Sequence, residues 1–120
     1  GHVHIGDWTV LGGFAGVHQF VRVGAHAMIG GASTVLQDVP HYMTVQGAPC
    51  SPRSINAEGL KRRGFTPEAI AAIKRAYRTL YRSGLKLEEA RAAIAVEAAT
   101  QPELLPLVEF LAASSRGIAR

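Results

Sequence analysis

A parallel β-helix followed by a small helical domain is the fold this sequence predicts, and three observations carry the prediction. An aliphatic residue recurs at every sixth position from Ile5 to Val35, a glycine follows it in four of the six repeats, and beyond Pro40 the pattern gives way to spacings of three and four. A period of six suits neither an α-helix, at about 3.6 residues per turn, nor an alternating strand, at about two.

Written in sixes, the first part of the chain reads IGDWTV, LGGFAG, VHQFVR, VGAHAM, IGGAST and VLQDVP. The first column is Ile5, Leu11, Val17, Val23, Ile29 and Val35, and the fifth is Thr9, Ala15, Val21, Ala27, Ser33 and Val39, all small or β-branched. Short strands with the aliphatic residue turned inward account for this, with glycine accommodating the turn conformations that close each corner. If three hexads make one coil, residues 18 apart stack in layers spaced by about 4.8 Å. Six hexads then make two coils, fewer than the roughly three stacked units that repeat folds need to bury a continuous core. Gly1–His4 is in phase as the tail of an earlier hexad, so further coils are expected ahead of Gly1.

The expected organisation is the last coils of a β-helix over residues 1–40, an irregular connector over 41–54 marked by Pro40, Gly47, Pro49, Ser51 and Pro52, and a helical domain over 55–120. Thr66 before Pro67 and Glu68 predicts a helix start, with Ile70, Ile73, Tyr77, Leu80 and Tyr81 as its apolar stripe and Gly84 as its stop. A second helix is predicted from Leu87 to about Ala99, with Leu87, Ala90, Ile94 and Ala98 inward. Thr100 with Glu103 at capping-box spacing predicts a third, kinked or delayed by Pro106.

Charge is concentrated in one block. Residues 53–82 carry eight Lys/Arg against Glu58 and Glu68, which more than accounts for the net +4 of the chain. Such a block suits an anionic partner without saying which. Cys50 is the single cysteine and no apolar run approaches the roughly 20 residues of a membrane span, so a cytoplasmic protein without intrachain disulfides or membrane insertion is expected.

Three stretches narrow the assignment: GHVHIGDWTVLGGFAGVHQF (1–20), VRVGAHAMIGGASTVLQDVP (21–40) and INAEGLKRRGFTPEAI (55–70), the last followed by KRAYRTLYRSG (74–84). Together with SSRGIAR at 114–120 they closely resemble the UDP-N-acetylglucosamine O-acyltransferases, hexapeptide-repeat enzymes of the first step of bacterial lipid A synthesis. The N-acyltransferases of the same pathway share the hexads but not the Asn-Ala-Glu-Gly-Leu-Lys-Arg-Arg-Gly-Phe segment.

The resemblance implies a left-handed parallel β-helix with a C-terminal α-helical domain, a homotrimer with active sites between subunits, and transfer of an (R)-3-hydroxyacyl chain to the 3-hydroxyl of UDP-N-acetylglucosamine. The acyl group arrives on the phosphopantetheine of acyl carrier protein, with no metal and no further cofactor. It also implies that the general-base histidine belongs to the coil before Gly1, that the Gly1 amide stabilises the oxyanion, and that His2, His18 and Gln19 lie near the substrate. Gly31 matches the position that closes the acyl groove, where a glycine leaves room for a longer chain; Pro49 departs from a histidine found in some relatives. Asn56, Glu58, Arg62 and Arg63 match residues that hold the nucleotide and its phosphates.

Other functions meet specific obstacles. Zinc bound by histidines is disfavoured because no two of His2, His4, His18, His26 and His41 are 18 apart, and His4, His26 and His41 are expected as surface or corner residues. Nucleic-acid binding is disfavoured because the basic block lacks interleaved exposed aromatics. Lys74, Arg75, Arg78 and Arg82 are instead expected to form a strip for acidic acyl carrier protein. Two alternatives stay open: a non-catalytic trimerisation and cap fragment, and another hexapeptide-repeat acyltransferase.

Overall fold

The computed structural model describes residues 1–114 and 117–120; Ser115 and Arg116, inside the 114–120 stretch, lie outside the described residues. The hexads form six two-residue strands: β1 (His4–Ile5), β2 (Val10–Leu11), β3 (Gly16–Val17), β4 (Arg22–Val23), β5 (Met28–Ile29) and β6 (Thr34–Val35). They pair in parallel as β1 with β4, β2 with β5 and β3 with β6, so that Ile5 lies opposite Val23, Leu11 opposite Ile29 and Val17 opposite Val35, each 18 residues on. The 18-residue register expected from the hexads is therefore the one observed.

Burial divides the two coils. Val23, Ile29 and Val35 are at most 3% exposed, whereas Ile5 and Leu11 are 40% and 46% exposed. Val23 and Ile29 have paired backbone on both sides, from Ile5 and Val39 and from Leu11 and Val45, whereas Ile5 and Leu11 pair on one side only.

Glycine has a different task from the one its turn propensity suggests. The corners are taken in the left-handed region by His2, Trp8, Phe14, Phe20, His26, Ala32 and Tyr42. The second-column glycines are not among the residues of positive φ; they stand where the next layer crosses close by. A Cβ on Gly12 would come within 2.5 Å of the Gly31 nitrogen, and one on Gly24 within 2.7 Å of His41 Cα.

Residues 41–54 are not an irregular connector. β7 (Met43–Gly47) adds a third parallel layer on β5 with Ile29 opposite Val45, and β8 (Cys50–Ile55) returns antiparallel to it, making a sheet in the order β2, β5, β7, β8. The third layer is reached in 16 residues, and Val39 likewise bridges Val23. The hexad register is thus lost while the layering continues, because backbone hydrogen bonding needs aligned strands and not a conserved repeat. The hairpin turn holds a cis Ala48–Pro49 peptide and Gly47 at φ 109°.

The helical part begins within the expected 55–120 span, with a helix ahead of the one predicted at Thr66: α1 (Ala57–Arg62), capped by Asn56, whose side chain accepts the Gly59 N–H. α2 (Pro67–Tyr81) starts at the Thr66 cap with Pro67 in its first turn, and buries Ala69, Ala72, Ile73, Ala76, Tyr77 and Leu80. α3 (Leu87–Ala98) buries Ala90, Ile94 and Ala98. Thr100 does not cap the next helix; its hydroxyl donates back to the Glu97 carbonyl, and a 3-10 turn over Pro102–Leu104 leads into α4 (Leu105–Ala113). Pro106 delays the helix because it falls in the first turn of α4, where a missing N–H costs nothing.

Coil and helices share one core, in which Val35, Val45 and Met43 run continuously into Leu60, Ile73, Leu80, Leu104 and Leu107. Tyr42 crosses the seam by donating its hydroxyl to the Glu103 carbonyl at 2.6 Å. Among the described residues no helix is long and apolar enough to cross a membrane.

His41 at the third-layer corner gives the fold a pH dependence. Burial lowers its pKa below the ordinary 6.5, and the charges of Arg22 and then His26 lower it further. Its Nδ1 accepts the Ala25 N–H at 2.8 Å, a bond compatible only with an unprotonated nitrogen. Below 6.5 the unfolded chain therefore takes up a proton that folded His41 refuses, and stability falls with falling pH until the folded value is passed. The melting midpoint should be level between about pH 7 and 8 and decline below about 6.5, the decline being smaller in His41→Asn, whose amide oxygen can accept the same N–H. An unchanged profile in that variant would remove His41 as the cause.

Candidate functional site

The three faces of the coil meet at three corners, and the corners sort the predicted site residues. The corner between β3/β6 and β1/β4 carries Gly1, His2, His18, Gln19 and Phe20. There the Phe20 N–H donates to the Gly1 carbonyl at 3.3 Å, the rings of His2 and Phe20 stack with centroids 5.1 Å apart, and His18 Nδ1 lies 3.1 Å from the Gln19 carbonyl. Gly31 lies at a second corner, between β2/β5 and β3/β6, where its carbonyl accepts from Gln46 Nε2. A Cβ on Gly31 would meet the Gly13 carbonyl at 3.4 Å, an ordinary contact, so its openness is toward solvent.

The third corner, between β1/β4 and β2/β5, carries Trp8 and His26, and α1 lies against it. Asn56, Glu58, Arg62 and Arg63 come together there in a cleft of about 420 Å³, with Trp8, Val10 and Met28 as its other wall. Asn56 is 8% exposed because it fastens α1 to the coil. Its backbone N–H donates to the Tyr42 carbonyl at 2.7 Å, its Nδ2 donates to the His26 carbonyl at 3.1 Å, and its Oδ1 caps Gly59. Each amide atom keeps one further hydrogen-bonding position.

Glu58 occupies the first turn of α1, and Arg62 and Arg63 its last turn and C-cap. Arg63 lies over the Trp8 indole with Cζ 3.6 Å from the ring centroid. His26 packs edge-on to Phe65 and stacks with Tyr42; burial first and the nearby Arg63 second lower its pKa, against a smaller upward pull from Asp7. The cleft thus offers two guanidinium groups, one amide and one carboxylate beside an apolar strip. Trp8, Val10, Met28 and His26 were not legible as site residues, since nothing local links them to a segment some 50 positions on; the one usable signal was an aromatic at a solvent-facing hexad position.

Along α2, Arg75 is exposed but already paired. Its Nε and Nη2 donate to Glu97 Oε1 of α3 at 2.8 and 2.5 Å, while Arg82 approaches the Tyr77 hydroxyl at 3.5 Å. Lys74 and Arg78 remain exposed. Among the described residues no group of three or more His, Cys, Asp or Glu could hold a metal ion.

A family profile described as Udp N-acetylglucosamine O-acyltransferase, Domain 2, matches residues 38–119. The chain belongs to the UDP-N-acetylglucosamine O-acyltransferase family. Over its whole length it is 53% identical to the acyl-[acyl-carrier-protein]–UDP-N-acetylglucosamine O-acyltransferase of Thiobacillus denitrificans, covering 46% of that protein. It is 52% identical to the enzyme of the same name from Burkholderia lata, covering 47% of it. The structure of Francisella novicida UDP-N-acetylglucosamine acyltransferase superposes with a TM-score of 0.97 at 49% identity, over all of this chain and 44% of that one. That of the Moraxella catarrhalis O-acyltransferase gives 0.96 at 38%, over all of this chain and 47% of the other. The chain spans about half the length of the O-acyltransferase relatives it matches.

Proposed function

We propose that this chain supplies the last coils and the helical domain of a trimeric, left-handed β-helix enzyme. That enzyme moves an (R)-3-hydroxyacyl group from acyl carrier protein to the 3-hydroxyl of UDP-N-acetylglucosamine, the first step of lipid A synthesis, in the cytoplasm. The observation that carries this is the cleft between α1 and the Trp8 corner, where paired arginines suited to phosphate oxygens lie beside Val10 and Met28, which suit an acyl chain.

The distribution of residues supports a trimer. His2, His18 and Gln19 stand at one corner, Gly31 at another and the arginine cleft at the third, so one chain does not gather them. Packing corners of neighbouring copies together would complete three equivalent sites. In each, a histidine from the preceding coil would take the proton of the sugar hydroxyl as its oxygen attacks the thioester carbonyl. The Gly1 amide would hold the oxyanion until the carrier thiolate departs. Exposed Lys74 and Arg78 suit an acidic carrier protein approaching along α2.

In acyl-transfer assays of the complete gene product, Arg62→Ala and Arg63→Ala should each raise KM for UDP-N-acetylglucosamine about tenfold, the equivalent of one charge-assisted hydrogen bond. Unchanged KM in both would sink the nucleotide role of this cleft. The 120 residues alone should turn over no substrate; turnover would place the base within this chain, and an inactive complete product would favour the cap-fragment alternative.

A further inference from the structure

Trp8 stands at a corner of the coil, 57% exposed. What lies on it is the Arg63 guanidinium, 3.6 Å from the ring centroid. A guanidinium stacked in this way spends its flat face on the aromatic ring, and its N–H donors, which all lie in the guanidinium plane, point outward around the edge. Those in-plane donors are the ones that grip two phosphate oxygens at once.

The surroundings reinforce the arrangement. Arg63 is the C-cap of α1, where its own N–H bonds to the carbonyls of Gly59, Leu60 and Lys61 fix its backbone. Trp8 is held at φ 62° by the corner, and the layer below is tied to it through the Asp7 carbonyl, which accepts the His26 N–H at 2.8 Å. Backbone on both sides is therefore fixed, and the stack removes the remaining freedom of a long side chain. Burial keeps the adjacent His26 more readily neutral than a free histidine, which spares Arg63 a repelling charge.

We propose that Trp8 is a positioning residue for substrate binding: it holds Arg63 flat against the coil corner so that the guanidinium edge is preset for the phosphate oxygens of the nucleotide sugar. This rests on the nucleotide role given to the cleft above. Trp8 acts through Arg63 and not by touching the substrate.

The test is a double-mutant cycle in the complete gene product, read as KM and kcat for UDP-N-acetylglucosamine. Trp8→Ala should raise KM about three- to fivefold with kcat unchanged, and Trp8→Phe, which keeps an aromatic face, should restore most of it. In an Arg63→Ala background, Trp8→Ala should add no further change. If Trp8→Ala is equally damaging with and without Arg63, the indole touches substrate itself and the proposal is overturned. If Arg63→Ala raises KM and Trp8→Ala does not, positioning fails while the nucleotide role stands; if Arg63→Ala has no effect, the nucleotide role itself fails.

Discussion

Gly24→Ala should cost about 3 kcal/mol of stability, more than a methyl group added at an open position of the coil, because the new Cβ has nowhere to go. It would overlap the amide nitrogen of His41 and lie 2.7 Å from His41 Cα and 2.9 Å from the Pro40 carbonyl carbon. All three are backbone atoms of the third layer, and that layer is fixed by the Gly24 N–H donating to the Val39 carbonyl at 2.8 Å and the Tyr42 N–H donating to the Ala25 carbonyl at 3.0 Å. Relief would require separating two layers and giving up these bonds together. Gly24 is not in the left-handed region, so an alanine there would suffer from contact and not from its own φ. Gly13→Ala, whose Cβ would meet nothing within 4 Å, supplies the comparison and should change stability by no more than about 0.5 kcal/mol. Urea unfolding of the two variants beside the parent measures the difference; equal midpoints for both would show that layer contact does not explain the glycine column.

That column shows where the sequence was informative and where it was not. The periodicity located the strands and their 18-residue register, because the aliphatic residues must face one interior at every turn. The reason for the glycines was misjudged, since close approach and turn conformation leave the same letter in a sequence. Only the coordinates separate them: the corners hold Trp8, Phe14, Phe20 and His26 at positive φ, while Gly6, Gly12 and Gly24 lie under neighbouring backbone and Gly30 under the Gln46 side chain. The β7–β8 hairpin was hidden because Pro49 and Pro52 read as breakers, although Pro52 sits in a strand at the sheet edge, where a missing N–H is tolerated. α1 was hidden because it is six residues long with Gly59 inside it, too short for periodicity.

For the candidate site, Asn56, Glu58, Arg62 and Arg63 were legible as a segment, and the structure adds the wall they face. That Arg75 of the basic strip also pairs with Glu97 was not legible, because spacing along α2 says nothing of a residue 22 positions away on another helix. Pairings of that kind are set by packing and leave no local trace.

Asp38→Ala should destabilise the protein by about 3–5 kcal/mol, an effect that its place in VLQDVP does not announce. Asp38 is 2% exposed, yet its carboxylate is fully engaged: Oδ1 accepts the Arg22 N–H at 2.9 Å and Oδ2 accepts the Ser114 hydroxyl at 2.7 Å. Its backbone does as much, donating to the Gly117 carbonyl at 3.3 Å and accepting the Ala119 N–H at 2.8 Å. One residue at the end of the hexads therefore holds the last turn of the coil to the segment after α4, whose Ile118 and Ala119 are buried in the common core. Alanine would leave the part-buried Arg22 N–H without its acceptor, leave the Ser114 hydroxyl only the Gly117 carbonyl at 3.2 Å, and open a void, whereas Asp38→Asn keeps Oδ1 for Arg22 and can donate to Ser114, and should cost about half as much. Ser114→Ala removes one charge-assisted bond and should cost about 1.5 kcal/mol. If the carboxylate works by these two bonds, the Asp38→Ala/Ser114→Ala pair should lose less than the sum of its single changes, since in Asp38→Ala the Ser114 hydroxyl has already lost Oδ2 and keeps only the Gly117 carbonyl. Additive losses in that pair, or an Asn variant as unstable as the alanine, would mean that Asp38 stabilises the fold through something other than these bonds.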